Sequence, residues 1–447
     1  MSEPVIFQDL SPRTSANPSE DAWLARLATR LREQDHVLRL AGWGTRVDHE
    51  DEAALSRGSD GNWWAGRYIG ELRFEDREIR IEPRLGIEVI GAWLALALNV
   101  TVVPRSATSG TRAPLIVEVI DRVWSAAVAD AARHGTPRLR RLTRHDELFM
   151  RGRLDVAGTS KHRRAGSPLV TTVRHDRDLD NPVAQVIVLA DRALRSLQPF
   201  KPTWRPATTG SVLAQLRGVV GARPDLPTSA ALRRVRYTPI SRRFEGVAQL
   251  SYEIAKRRGY LTSASAADLS GVLIDVAELW ELFLLHAARR AFGATRVAHG
   301  TAEHQGTHLL RSHAKPEIHM GRLKPDIVVH DSGGRVCAVI DAKYKRLRSW
   351  SGNPSGVDRG DLYQLAAYLA GHDADLGVLA YPAHDQDDAL AHSAGPWVTT
   401  AGQTARFERI PVVAEHAAQA LSAVAAGRPS ARDDQTPVGV PTRVGSW

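Results

Sequence analysis

Three residues stand at a spacing that could carry hydrolytic chemistry: Asp326 in LKPDIVVH, and Asp341 with Lys343 in VIDAKYK. The turn DSGG at 331–334 separates two apolar runs, 324–330 and 335–345, and predicts a β-hairpin. Alternation along a strand puts Asp341 and Lys343 on one face. The hairpin brings Asp326 beside Asp341. Two neighbouring carboxylates repel unless a cation lies between them. A hard divalent ion such as Mg²⁺, or Mn²⁺ in its place, takes one or two carboxylates, waters and a phosphate oxygen. The backbone carbonyl of Ala342 offers a further oxygen. An ion held there acidifies bound water and polarises a phosphodiester. Lys343 could orient that water or stabilise charge developing on the phosphorane. The chemistry expected is metal-dependent phosphodiester hydrolysis. Val339, Ile340 and Ala342 set these charges in an apolar strand, where a buried charge needs a partner or a metal.

Two helical segments could add to this group. VAELWELFLLH carries Glu278 and Glu281. Glu281 reads equally as a metal ligand reaching the site from the side or as an exposed acid on an amphipathic helix. DLYQLAAYL carries Gln364 and Tyr368, four apart and so on one face. Gln364 could contact a phosphate or position a water; Tyr368 reads as packing or function. The 17 histidines include His304, His308 and His313, whose spacing fits no common zinc site. Trp63-Trp64 could stack on bases, plug a partner's pocket or fill a core.

The elements that must position these residues follow from pattern. The chain has 447 residues, 43% hydrophobic and 24% charged, which predicts two or three globular domains. Residues 1–20 and 427–447 are rich in Ser, Pro and Asp and are expected to be disordered. A helix is expected over 21–33 and a hairpin over 62–86, with Leu72, Phe74, Ile79 and Ile81 alternating inward and Pro83 ending its second strand. Helical periodicity recurs at 88–102, 115–133, 180–198 and 244–258, whereas 200–228, rich in Pro, Thr and Gly, reads as a loop or linker. A long apolar helix over 268–292 leads to a strand near 307–312, the 324–345 hairpin, a helix at 359–372 and a strand at 375–382. The order predicts an α/β fold, α+β overall. Its expected parts are a β-rich N-terminal domain (21–155), a helical connecting region (156–262) and a C-terminal domain (263–426).

Lys and Arg number 59 against 50 Asp and Glu, a formal net charge of +9. That balance suits a polyanion, since each neutralised phosphate releases counterions; it equally describes a solvated arginine-rich surface. Arg138, Arg140, Arg141 and Arg144, and Arg233 to Arg243, could follow a phosphate backbone or sit at solvated helix ends. The single cysteine, Cys337, excludes an intrachain disulfide and a cysteine-based zinc site. No apolar stretch approaches the length of a membrane span, and the polar, acidic N-terminus does not resemble a secretory signal. A cytoplasmic protein, not a membrane one, is expected.

Beyond the triad, the chain resembles the McrC family. LKPDIVVH, VIDAKYK, DLYQLAAYL and GVLAYP look like that family's nuclease core, and ELWELFL is similar to its acid-bearing helix. YIGELRFEDREIRIEPRLG (68–86), LFMRGRLDV (148–156) and DLDNPVAQVIVLA (178–190) resemble its upstream elements. The resemblance implies a C-terminal PD-(D/E)xK restriction-endonuclease-like domain over 263–426. It implies Asp326 and Asp341 as metal ligands, Lys343 as the catalytic lysine, and Glu281 and Gln364 as supporting positions. It implies the nuclease subunit of a McrBC-type restriction system that cuts double-stranded DNA, with a ring-forming McrB-like AAA+ GTPase as partner and residues 21–155 docking on the ring. The sequence carries no GxxxxGK[ST] loop, so nucleotide hydrolysis is assigned to the partner. Two other readings use the same residues: a nuclease acting alone or with another partner in repair or defence, and a non-catalytic basic DNA-binding adaptor.

Overall fold

The structure is a computed structural model and describes residues 3–33, 37–38, 53–75, 77–97, 115–197, 205–256, 269–300, 307–345, 356–383 and 395–427. The chain divides into two compact units, Met1–Leu282 and Phe283–Trp447. The division falls inside the helix Val276–Phe292. The part of the 88–102 helix beyond Ala97 and the tail 428–447 lie outside the described residues.

In the first unit, the strands Tyr68–Phe74 and Arg77–Glu82 form the expected hairpin, with Gly70 opposite Ile81 and Leu72 opposite Ile79. Leu72, Phe74, Ile79 and Ile81 are buried, as their alternation requires, and the second strand stops one residue before Pro83. Two departures from the sequence reading complete this sheet. Val5–Gln8, within the segment expected to be disordered, pairs in parallel with Arg77–Glu82 and buries Val5 and Phe7. Four alternating residues are too few for composition to reveal; tertiary pairing orders them. Ser270–Asp275, expected as the start of a long helix, is a strand antiparallel to Tyr68–Phe74. A short apolar run reads alike as buried strand or buried helix until its neighbour is known. The helix begins at Val276, where Asp275 caps it: Oδ1 accepts from the amides of Ala277 (3.0 Å) and Glu278 (3.3 Å).

The region 156–262, expected to be helical, also contributes a strand, Val170–Asp178. Leu139–Glu147, Val170–Asp178 and Arg153–Leu154 make a three-stranded sheet. The basic stretch 138–144 therefore lies mainly on a strand, not at a helix end. Arg141 pairs with Asp178 at 3.5 Å and Arg144 with Asp155. Residues 200–228 hold a helix, Ala207–Val220, where a linker was expected. Its Thr and Gly content masks one inward face of Thr209, Val212, Leu213 and Leu216. The helix Pro182–Leu197 starts at Asn181, whose Oδ1 accepts from the amides of Val183 (3.1 Å) and Ala184 (3.2 Å).

The second unit is built on a six-stranded sheet in the order Val297–His299, Ile327–His330, Val336–Ala342, Leu376–Ala383, Thr404–Pro411, Trp397–Val398. The expected hairpin pairs Ile327 with Ile340 and Val328 with Val339. The connection to the parallel strand Leu376–Ala383 runs through the helix Arg359–His372, because parallel neighbours need a crossover. Leu376–Ala383 is buried along nearly its whole length, as a strand with parallel neighbours on both sides should be. Val339, Leu365, Tyr368, Leu369 and Leu379 form the core between sheet and helix. The fold is thus mixed α/β with several sheets. Among the described residues, no helix is long and apolar enough to cross a membrane.

Candidate active site

The hairpin register sets the acids together. Ile327 lies opposite Ile340, so the next position pairs Asp326 with Asp341. Directly opposed residues of an antiparallel pair share a face of the sheet, with Cβ atoms about 5 Å apart. Asp326 stands just before its strand and turns its carboxylate back, where Oδ2 accepts from the amide of Ala342 at 2.6 Å. Asp341 is buried.

Lys343, two residues along, points to the same face. Its ammonium lies 2.7 Å from Asp341 Oδ2. The contact is outside hydrogen-bonding angles, and Oδ2 has no hydrogen-bond donor. It is therefore an ion pair by distance rather than a directed bond. Burial opposes the charge on Lys343, but Asp341, Asp361 and Asp326 more than offset it and hold the ammonium above the ordinary lysine range.

The helix Arg359–His372 supplies the other wall. Asp358 caps it, accepting from the Gly360 amide at 2.7 Å. Lys343 donates to Gln364 Oε1 at 2.6 Å, Gln364 Nε2 donates to the Tyr368 hydroxyl at 3.0 Å, and that hydroxyl donates to the carbonyl of Lys324 at 2.9 Å. The donor inventory fixes the amide's orientation. Lysine can only donate, and the tyrosine's one proton is used on Lys324, so the carbonyl end of Gln364 faces Lys343. The relay ties the lysine to the backbone two residues before Asp326.

Three residues of this group went unread in the sequence. Asp361 is buried, lies 3.5 Å from the Lys343 ammonium, and accepts from Lys345 at 2.9 and 3.1 Å. Tyr381 lies level with Lys343 on the adjacent parallel strand, where Ala380 pairs with Ala342. Burial and the negative charges of Asp361, Asp341 and Asp358 push its hydroxyl up, so it stays protonated. Asp361 was legible in principle, since 361, 364 and 368 recur at three and four on one helical face.

Glu281 is buried on the helix Val276–Phe292, on the first unit's side of the division. His304 lies outside the described residues; His308 and His319 face each other with ring centroids 4.9 Å apart. Trp63 is a core residue, buried and donating to Asp21 Oδ1 at 2.8 Å. Among the described residues, no three His, Cys, Asp or Glu side chains form a ready metal-ligating group. What converges is two carboxylates, the backbone at Ala342 and one buried carboxylate oxygen without a hydrogen bond. That oxygen-only set fits an ion such as Mg²⁺, which keeps several waters and binds through one or two carboxylates plus substrate phosphate. It fits zinc less well, since zinc sites are built mainly on nitrogen and sulfur.

A chain of the refined half-complex from the tetradecameric assembly of Thermococcus gammatolerans McrB AAA+ hexamers with bound McrC is similar in fold, with a TM-score of 0.54 at 16% identity over 94% of this chain and 100% of that one. A chain of the Thermococcus gammatolerans McrBC complex, solved by cryo-electron microscopy, gives a TM-score of 0.41 at 15% identity over 63% of this chain and 86% of that one. No curated protein matches the chain in sequence. The profile described as "McrBC 5-methylcytosine restriction system component" matches residues 64–382, well over half of the sequence, and the chain belongs to that family.

Proposed function

We propose that this chain is the nuclease subunit of a McrBC-like restriction system, a Mg²⁺-dependent DNA endonuclease working with a ring-forming AAA+ GTPase. The observation that carries the reading is the meeting of Asp326, Asp341 and Lys343 on one face of a hairpin, with an oxygen of Asp341 left without a hydrogen bond. The second unit is then a PD-(D/E)xK-type domain, a reading supported by its hairpin, crossover helix and parallel strand in that order.

Asp326, Asp341 and the Ala342 carbonyl would hold the ion, with Mn²⁺ able to substitute. Bound there, the ion would supply Lewis acidity and an acidified water. Lys343, kept protonated by its acidic neighbours, faces the place where a non-bridging phosphate oxygen gains charge in the transition state. Gln364, exposed at the rim and oriented by Tyr368, holds the lysine in line and lies where it can contact the phosphate. The family, and the assembly of McrB hexamers with bound McrC whose chain this fold is similar to, support the AAA+ partner. In the region assigned to docking, Leu148, Phe149 and Met150 are exposed beside Arg151 and Arg153, an apolar tip with a basic flank suited to a protein surface.

The test is cleavage of duplex DNA by the purified chain with Mg²⁺, with and without its AAA+ partner and GTP. The parent should cut when the partner is present, and Asp341→Ala should not. An Asp341→Ala protein cutting at the parental rate would refute the reading. Equal cutting with and without the partner would favour a nuclease that acts alone.

A further inference from the structure

Lys343 lies between two buried carboxylates, not one. Its ammonium is 2.7 Å from Asp341 Oδ2 and 3.5 Å from Asp361 Oδ1. The nearer oxygen is the one without a hydrogen bond, the position a cation would take. Lysine and metal therefore compete for the same atom. Two cations at one oxygen repel, so an ion bound there weakens the lysine's hold on it.

The charge count points to how the competition is resolved. Asp326, Asp341 and Asp361 face Lys343 and Lys345, three formal negative charges against two positive. Among these five side chains the acids are one charge ahead. A divalent ion would leave it one positive in excess, which a single phosphodiester would neutralise. Without Asp361 the same side chains would start neutral, the ion would leave them doubly positive, and Lys343 would lose its second carboxylate at ion-pair distance. Asp361 sits in the first turn of its helix, where the backbone favours a carboxylate. It shares a helical face with Gln364, so one face supplies both of the lysine's other partners.

We propose that Asp361 is a positioning residue for Lys343: it offers the ammonium a second counter-charge and so frees Asp341 Oδ2 for the divalent ion. The lysine lies beside Asp341 Oδ2. With an ion held by Asp341, rotation of the lysine's terminal bonds would carry the ammonium toward Asp361, with Gln364 still accepting from it. Lys345, bonded to both oxygens of Asp361, keeps that carboxylate facing inward.

The proposal rests on the metal-site reading above, and a thermodynamic cycle separates the two. Mn²⁺ is titrated calorimetrically into the full chain as parent, Asp361→Asn, Lys343→Met and the double variant. Asp361→Asn should raise the Mn²⁺ dissociation constant on the order of tenfold, the size of one lost charge contact in a partly buried site. Lys343→Met should bind Mn²⁺ at least as tightly as the parent. The double variant should bind like Lys343→Met, because no lysine remains to compete. Asp361→Glu, which keeps the charge, should recover most of the affinity. Asp361→Asn binding like the parent would overturn the proposal, and so would an equal loss in the Lys343→Met background, which would mean that Asp361 acts on the ion directly or through the fold. A parent chain that takes up no Mn²⁺ would remove the metal-site reading and this proposal together.

Discussion

In the first unit, Asp121 and Asp191 are as deeply buried as Asp341 and Asp361 are in the second, yet the two pairs are treated differently. Asp121 accepts from Arg205 at 2.6 and 3.2 Å and from Ser125 at 3.2 Å. Asp191 accepts from Arg205 at 2.5 Å, from Arg195 at 3.0 Å and from Arg217. Each carboxylate oxygen is used, and three guanidiniums serve two acids. Burial opposes the charge on Arg205, but hydrogen bonds and charge from both aspartates hold it above its usual range. In the second unit, among Asp326, Asp341, Asp361, Lys343 and Lys345 the acids outnumber the bases, and Asp341 Oδ2 is buried without a hydrogen bond. Buried charge alone therefore does not mark function. The first group is saturated and ties helices together; the second has room for a cation. The difference lies in whether the geometry closes.

The comparison can be broken at either end. The largest effect expected is on chemistry: Asp341→Ala should lower DNA cleavage by about 10³-fold or more, since the loss of a metal ligand removes several kcal/mol of transition-state stabilisation. Its melting temperature should hold or rise, and a matched fall in stability would place Asp341 with the saturated group. Asp191→Ala should do the reverse. Stripping the shared acid from Arg205 and Arg217 should cost about 3–5 kcal/mol in a denaturant titration, with cleavage per folded molecule unchanged. A drop in specific activity there would erase the contrast.

Two smaller effects refine it. His299 is buried, and burial together with the charge of Arg289 lowers its pKa to about 4. The unfolded chain, with a histidine pKa near 6.5, takes up the proton first, so stability should fall as pH drops from about 6.5 to about 4, by roughly 3 kcal/mol at the lower end. Denaturant melts of His299→Gln should show a flatter dependence over that window. Tyr381→Phe removes a buried hydroxyl that lacks a hydrogen bond. It should change stability by less than about 1 kcal/mol and leave cleavage within about twofold, because nothing is left unpaired. A large loss of cleavage in that variant would add Tyr381 to the reacting groups.

What the sequence disclosed follows the same division between local and distant causes. The hairpin at 324–345, the helix at 359–372 and the spacing of Asp341 and Lys343 were legible because a turn signal and alternation act within a dozen residues. Gln364 was found because four residues make one helical turn, and Asp361 escaped although its spacing obeys the same rule. The strand Ser270–Asp275 was read as helix because its identity depends on Tyr68–Phe74, far along the chain. The helix Ala207–Val220 was missed because its buried face is set by neighbours such as Ser125, whose carbonyl accepts from Thr209 at 2.7 Å. Arginines at 138–144 read in one dimension as a phosphate track or as solvated helix ends; in three, most of them lie on the strand Leu139–Glu147, where Arg141 and Arg144 pair with Asp178 and Asp155.

The chemistry proposed for Asp326, Asp341 and Lys343 needs one ion at one place. Anomalous diffraction from crystals of the chain soaked in Mn²⁺ locates it directly. A single peak about 2.1 Å from carboxylate oxygens of both Asp326 and Asp341 is the predicted result. A peak that touches neither aspartate, or none at a Mn²⁺ concentration that supports cleavage, would contradict it.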